Sequence, residues 1–144
     1  MNVHKTAAGI LQANCYICWC EATNQAVIID PGGDAQRLSG WLKMNQLELV
    51  HIILTHFHFD HTQGALDLRA QTGALIALHR DDAPLLEEQP ALFKGFAGNA
   101  LPSIEADVLL DDDNYIAFGQ ETLQVIATPG HSPGSICLYH RELG

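Results

Sequence analysis

The segment that most constrains this chain is Val50-His51-Ile52-Ile53-Leu54 running directly into Thr55-His56-Phe57-His58-Phe59-Asp60-His61. A short run rich in β-branched residues reads as a buried strand, so the polar cluster at its exit sits at the rim of a sheet. Histidine and aspartate are zinc ligands, and so dense a cluster has few other uses. A polar loop with fortuitous histidines is the bland alternative. His56 and His58 lie two apart, which points both rings the same way while the backbone stays extended. Asp60 and His61 fall where the chain turns into the next element, Gln63 to Thr72, and so face elsewhere. Two pairs with two directions imply two neighbouring metal positions.

A second piece lies far downstream, in Thr128-Pro129-Gly130-His131-Ser132-Pro133-Gly134-Ser135. A histidine in a Pro/Gly-bracketed turn between two strand-like runs is held rigidly at a strand end. Loops positioned by a rigid scaffold are where ligands and active sites gather. Alone, His131 reads equally as a ligand or an ordinary loop residue; beside the first cluster it reads as a ligand. With His56 and His58 it supplies three imidazoles and leaves a position for water, the catalytic rather than the structural pattern.

Thr55-His56-x-His58-x-Asp60-His61, Asp30-Pro31-Gly32-Gly33 after an apolar strand, and Pro129-Gly130-His131-Ser132-Pro133-Gly134 together resemble the metallo-β-lactamase superfamily. Within it they look most like the glyoxalase II branch, the hydroxyacylglutathione hydrolases and their short relatives. The likeness runs from near Ala13 to the last residue; lactonases, persulfide dioxygenases and some nucleases share the first motif. It implies an α/β (α+β) fold of the αββα sandwich type. By the same resemblance His56, His58 and His131 match ligands of a first metal, and Asp60 and His61 match ligands of a second. Asp30 matches an acidic residue behind the metals that orients the site, although a turn-forming Asp before Pro-Gly is equally compatible. The implied cofactor is zinc, two ions per complete domain, with iron or manganese as alternatives because these N/O ligands do not separate them. The implied reaction is hydrolysis of a small-molecule thioester of the glutathione-conjugate kind by metal-activated water, with Asp60 as the catalytic carboxylate orienting it. The alternatives are lactone or β-lactam hydrolysis, persulfide oxidation, or an inactive metal-binding fragment.

One departure stands out. The family pattern includes a metal-bridging Asp on a later strand and a final His later still, yet no aspartate follows His131. Ser135 to His140 reads as a strand, and Arg141 to Gly144 as the start of the turn after it. Glu142, in that turn, is a poor substitute bridge. The expectation is one domain over 1–144, C-terminally incomplete, its sandwich truncated in the second half and an edge strand left open to pairing with another chain.

Composition fits one core: the chain has 144 residues and is 47% hydrophobic. A net charge of −10 argues against nucleic acid or an anionic membrane as partner. No apolar stretch approaches membrane-spanning length, and Lys5 with the short run Ala7 to Leu11 makes a poor signal peptide, so the expected location is cytoplasmic. Cys15, Cys18 and Cys20 invite a zinc-ribbon reading, but strand alternation over Asn14 to Cys20 puts Cys15 opposite the other two. Buried reduced thiols are the better reading.

The remaining pattern alternates. Asn14 to Cys20 and Gln25 to Asp30 form a hairpin, and Asp34 caps a helix ending near Asn45. A helix to Thr72 is stopped by Gly73, strand Leu75 to Leu78 follows, and Asp81-Asp82-Ala83-Pro84 starts another short helix. Gly95 to Ser103 reads as a loop flanking the site. Val108 to Leu110, Tyr115 to Phe118 and Thr122 to Ala127 are strands around a solvated acidic turn. His4, His51, His79 and His140 belong to no motif and read as structural.

Overall fold

Two sheets and a layer of helices make up the computed structural model, which describes residues 1–95 and 101–143. Strands β1 (Asn2–Ala8), β2 (Ala13–Trp19), β3 (Gln25–Ile29), β4 (Glu48–Ile53), β5 (Leu75–His79) and β6 (Val108–Leu110) form one sheet in that order. The first three pair antiparallel through hairpins, and β3 to β6 pair parallel. The parallel part requires crossovers. These are α1 (Ala35–Met44), then α2 (Phe59–Thr62) with α3 (Ala65–Thr72), then α4 (Ala83–Glu87) with α5 (Gln89–Leu92). Strands β7 (Tyr115–Phe118), β8 (Glu121–Ala127) and β9 (Ile136–Tyr139) form a second, antiparallel sheet with β8 in the middle.

Strands β3 to β5 are apolar nearly throughout because both faces of the large sheet are covered. Ile28, Ile52, Ile76 and Leu78 pack with Leu38, Leu42 and Leu68 of the helices. Val27, Ile29, Ile53 and Ala77 pack against Ile116, Phe118, Leu123, Val125 and Ile136 of the second sheet. This α/β/β layering matches the first three layers of the expected αββα sandwich. No helix lies on the far side of the second sheet among the described residues.

Most expected elements are present, with informative differences. Strand β1 was not foreseen: its alternation is Asn2, His4 and Thr6 half-buried against Val3 and Lys5 exposed, a sheet-edge pattern with little apolar signal. Asp34 does not cap α1 through its side chain. Its carboxylate instead accepts from the Gly9 backbone N–H (3.1 Å) and from Arg37 (3.2 Å), docking the β1–β2 turn onto the helix. The helix after the histidine motif begins at Phe59 and breaks at Gly64, where a Cβ would stand 2.8 Å from the Pro31 carbonyl oxygen. The loop expected over Gly95 to Ser103 falls partly on residues 96–100, which lie outside the described residues. Cys15 points into the helix-side core, whereas Cys18 and Cys20 face the second sheet, so strand alternation separates them as expected. Burial pushes the Cys15 thiol up to about 12 and Cys18 to about 11, as inert buried thiols require.

Candidate metal centre

After β4 the chain bends at Thr55 and His56 and re-enters regular structure at Phe59. The bend, rather than continued strand alternation, brings the two rings together: His56 and His58 stand 4.7 Å apart between centroids, nearly perpendicular at 87°. The β8–β9 connection delivers His131 to the same place, 4.7 Å from His56 and 4.6 Å from His58. That connection is closed by Thr128 N–H donating to the Ser135 carbonyl (2.8 Å), and Ile136 N–H donates to the Thr55 carbonyl (3.0 Å). The two histidine-bearing segments are thus tied at the mouth of both sheets.

Hydrogen bonding sets the tautomers. Asp30 is buried, and its Oδ1 accepts from Thr55 N–H at 2.7 Å. Its Oδ2 accepts from the Thr55 hydroxyl at 2.6 Å and from His61 Nδ1 at 3.0 Å. The Thr55 hydroxyl has given its proton to a carboxylate, so it can only accept from His56 Nδ1, 3.0 Å away. His56 Nε2 therefore carries the lone pair, and it is buried with no hydrogen-bond partner among the described residues. His61 donates from Nδ1 to Asp30, and its Nε2 lies 3.4 Å from Asp60 Oδ2. An unpaired buried imidazole nitrogen costs free energy unless something outside the protein satisfies it.

The spacing fits a metal. Tetrahedral zinc with bonds near 2.0–2.1 Å holds neighbouring ligand atoms about 3.3 Å apart. His58 Nδ1 and His131 Nε2 are 2.9 Å apart, and His61 Nε2 and Asp60 Oδ2 are 3.4 Å apart. One ligand atom from each of His56, His58 and His131 lies within 4.8 Å of the others, and the same holds for Asp30, His56 and His61. Asp30 is already occupied by three donors, so the second grouping is better suited to orientation than to ligation. Asp60 belongs to neither group of three; among the described residues its side chain pairs with His61.

Electrostatics favour the neutral ring at His56 and His58 and the charged ring at His61. Burial drives His56 down to about 4, reinforced by His61. His58 is lowered by burial and by His131. Burial works to lower His61 too, but its hydrogen bond to Asp30 and the charges of Asp30 and Asp60 outweigh it and leave the ring raised.

The four histidines outside the motifs stay apart from these groups. His4 stacks on Trp41 at 4.4 Å, and His140 lies 3.0 Å from Glu121. His79 Nδ1 accepts from Asp81 N–H at 3.3 Å. His51 Nδ1 is buried without a partner among the described residues. Sequence reasoning missed Thr55 as the hinge of the network, and it missed Asp82, whose buried carboxylate bonds to both loops of the site. A polar residue that follows each segment's apolar run was the available signal, and helix-cap chemistry hid it at Asp82.

Comparison with known proteins agrees with the motifs. A family model for the metallo-β-lactamase superfamily matches residues 8–144. The chain is 33% identical to the probable metallo-hydrolase YqgX of Bacillus subtilis, covering 99% of the chain and 67% of that protein. It is 31% identical to the hydroxyacylglutathione hydrolase GloC of Haemophilus influenzae over 99% of the chain and 68% of that protein. Among solved structures, the B3 metallo-β-lactamase BLEG-1 superposes with a TM-score of 0.88 at 35% identity, covering 98% of the chain and 68% of that protein. The di-iron-bound form of TTHA1623 superposes with a TM-score of 0.82 at 31% identity, covering 96% and 67%. The chain spans about two thirds of these relatives and 48% of the longer hydroxyacylglutathione hydrolase of Rhodospirillum rubrum. No helix among the described residues is long and apolar enough to cross a membrane. With this fold, these motifs and a family match over nearly its whole length, the chain belongs to the metallo-β-lactamase superfamily of metal-dependent hydrolases and related enzymes.

Proposed function

We propose that this chain holds a metal through His56, His58 and His131, that Asp60 and His61 contribute to a neighbouring second position, and that its reaction is hydrolysis of a small-molecule thioester of the hydroxyacylglutathione type. The observation that carries the reading is the convergence of three imidazoles, one with an orphaned buried Nε2 and another held 2.9 Å from the third. When bound, zinc or iron supplies Lewis-acid polarisation of a carbonyl and acidifies water. The chain's residues do the rest. Asp30 and Thr55 fix the tautomers of His56 and His61, so lone pairs face the site without a rotamer search. Asp60, partly exposed beside His61, is the carboxylate placed to orient the attacking water's proton. Phe93 stands edge-on to His58 at 5.8 Å and gives one side of the site an apolar wall.

The identity to a hydroxyacylglutathione hydrolase supports the thioester. Arg37, Arg69 and Arg80 are each engaged by an aspartate, so recognition of a glutathione carboxylate falls to other donors. The 35% identity to BLEG-1 favours β-lactam hydrolysis as the second reading. Four free cysteines suit a reducing, cytoplasmic setting. The test is parallel assay of zinc-loaded and iron-loaded protein on S-lactoylglutathione, a lactone, a chromogenic β-lactam and glutathione persulfide. Turnover of S-lactoylglutathione above the others is expected; turnover of the β-lactam alone replaces the first reading with the second.

A further inference from the structure

The segment after β5 holds both halves of the metal centre. Asp82 is fully buried in the turn between β5 and α4. Its Oδ2 accepts from Phe57 N–H at 3.1 Å and from the Ser132 hydroxyl at 2.6 Å, and its Oδ1 accepts from Gly134 N–H at 2.6 Å. Phe57 separates His56 from His58, and Ser132 follows His131. Gly134 is part of the arrangement: a Cβ there would stand 2.9 Å from both Cβ and Cγ of Asp82, so the loop can lie on the carboxylate only as glycine. The other side of Phe57 is gripped as well. Its carbonyl accepts from the buried Gln89 Nε2, which also lies 3.0 Å from the Thr62 hydroxyl.

A buried carboxylate without a cation is costly unless donors satisfy it. Asp82 has no ion pair among the described residues, and it makes no side-chain cap to α4 although it occupies the cap position. Its three donors come from the two loops that carry the histidines. An apolar side chain would pack this turn more cheaply; a carboxylate gives directional bonds that fix one loop against the other.

We propose that Asp82 is a positioning residue that sets the His56–His58 loop against the His131 loop and so holds the three imidazoles at metal-binding distance. This rests on the reading of those imidazoles as a metal site. The experiment is cobalt(II) titration of the whole chain, followed by visible d–d absorption, with urea unfolding of each metal-free protein as the stability control. Asp82→Asn keeps the shape but sets an NH2 donor against other donors. It should weaken cobalt binding by about tenfold or more and change the d–d band. Ser132→Ala, which removes one of the three donors, should weaken binding less and change the band in the same direction. Ile76→Val, in the core of β5, should lower stability and leave cobalt binding as in wild type.

Folded Asp82→Asn with wild-type spectrum and an affinity within about threefold overturns the proposal. If Asp82→Asn does not fold, a folded Ser132→Ala with unchanged affinity and spectrum overturns it in the same way. A loss in Ile76→Val as large as in Asp82→Asn also overturns it, because general destabilisation then accounts for the effect. A wild-type chain that takes up no cobalt refutes the metal-site reading, and the role of Asp82 with it; uptake by wild type confines failure to Asp82.

Discussion

His58 Nδ1 and His131 Nε2 lie 2.9 Å apart although they stand 73 positions apart in the chain. Two imidazoles keep that spacing by sharing a proton or by sharing a cation. A proton between them leaves His56 Nε2, buried beside both, without a partner among the described residues; a cation satisfies all three at once. The geometry therefore favours the cation.

Metal content tests that assignment first. The 144-residue chain should hold about one equivalent of zinc tightly, because three imidazoles close the first position while the second has Asp60 and His61. His58→Ala should lose it, and Cys18→Ala should keep it. Two tight equivalents in the wild type, or equal loss in both variants, would refute the ligand assignment. Elemental analysis after gel filtration provides the measurement.

Stability of the metal-free chain should depend on pH through the same rings. Burial sets His56 at about 4 against an ordinary 6.5, and His58 is lowered too. Between those values the unfolded chain binds protons that the folded chain does not, so stability rises with pH across the window and is lost as pH falls through it. His61 is raised by Asp30 and works the other way: its contribution is present at low pH and lost as pH rises through its folded value. Urea midpoints in chelator should be lower at about pH 5 than at about pH 7, and His56→Gln should flatten the difference. An unchanged pH dependence in His56→Gln would count against burial of that ring as the cause.

Thr55→Val probes the hydrogen-bond hinge. The substitution keeps the shape and removes the hydroxyl that donates to Asp30 at 2.6 Å and accepts from His56 at 3.0 Å. Leaving a buried carboxylate short of a donor costs about 1–3 kcal/mol, and loss of an orienting partner commonly weakens metal binding by about 10–100-fold. Zinc competition with a chromophoric chelator, alongside thermal unfolding, measures both. Wild-type affinity in a destabilised Thr55→Val would assign the hydroxyl a purely structural role.

Gly32→Ala should disturb Asp60 without touching its side chain. A Cβ on Gly32 would stand 1.9 Å from the Asp60 carbonyl oxygen, and both groups are backbone-fixed. Such overpacking costs about 1–3 kcal/mol or more, and the relief must come from movement of the Asp60-His61 turn. Lower denaturation midpoints together with reduced hydrolase turnover at full first-site zinc are expected. Unchanged turnover in a folded Gly32→Ala would remove Asp60 from the proposed mechanism.

Much of this molecule was legible as local chemistry. The apolar runs at β3, β4 and β5 announced strands, the second of them buried, Gly73 marked the end of α3, and strand alternation separated Cys15 from Cys18 and Cys20. The spacing His56-x-His58-x-Asp60-His61 and the Pro/Gly turn around His131 named histidines that the fold brings together, because residue type and turn chemistry are properties of a few adjacent residues. Tertiary structure decided what those residues face. Strand β1 exists because β2 offers it an edge, not because its own pattern demands one. Asp34 and Asp82 both sit where a helix cap belongs, yet one reaches back to Gly9 and the other spans to Phe57, Ser132 and Gly134. Asp30 turns through a left-handed backbone (φ 52°), and its carboxylate meets Thr55 and His61 some thirty residues on. Hydrogen bonds between distant polar groups leave no periodicity in a sequence; they are chosen only once the packed strands and helices have set which loops lie within 3 Å of one another.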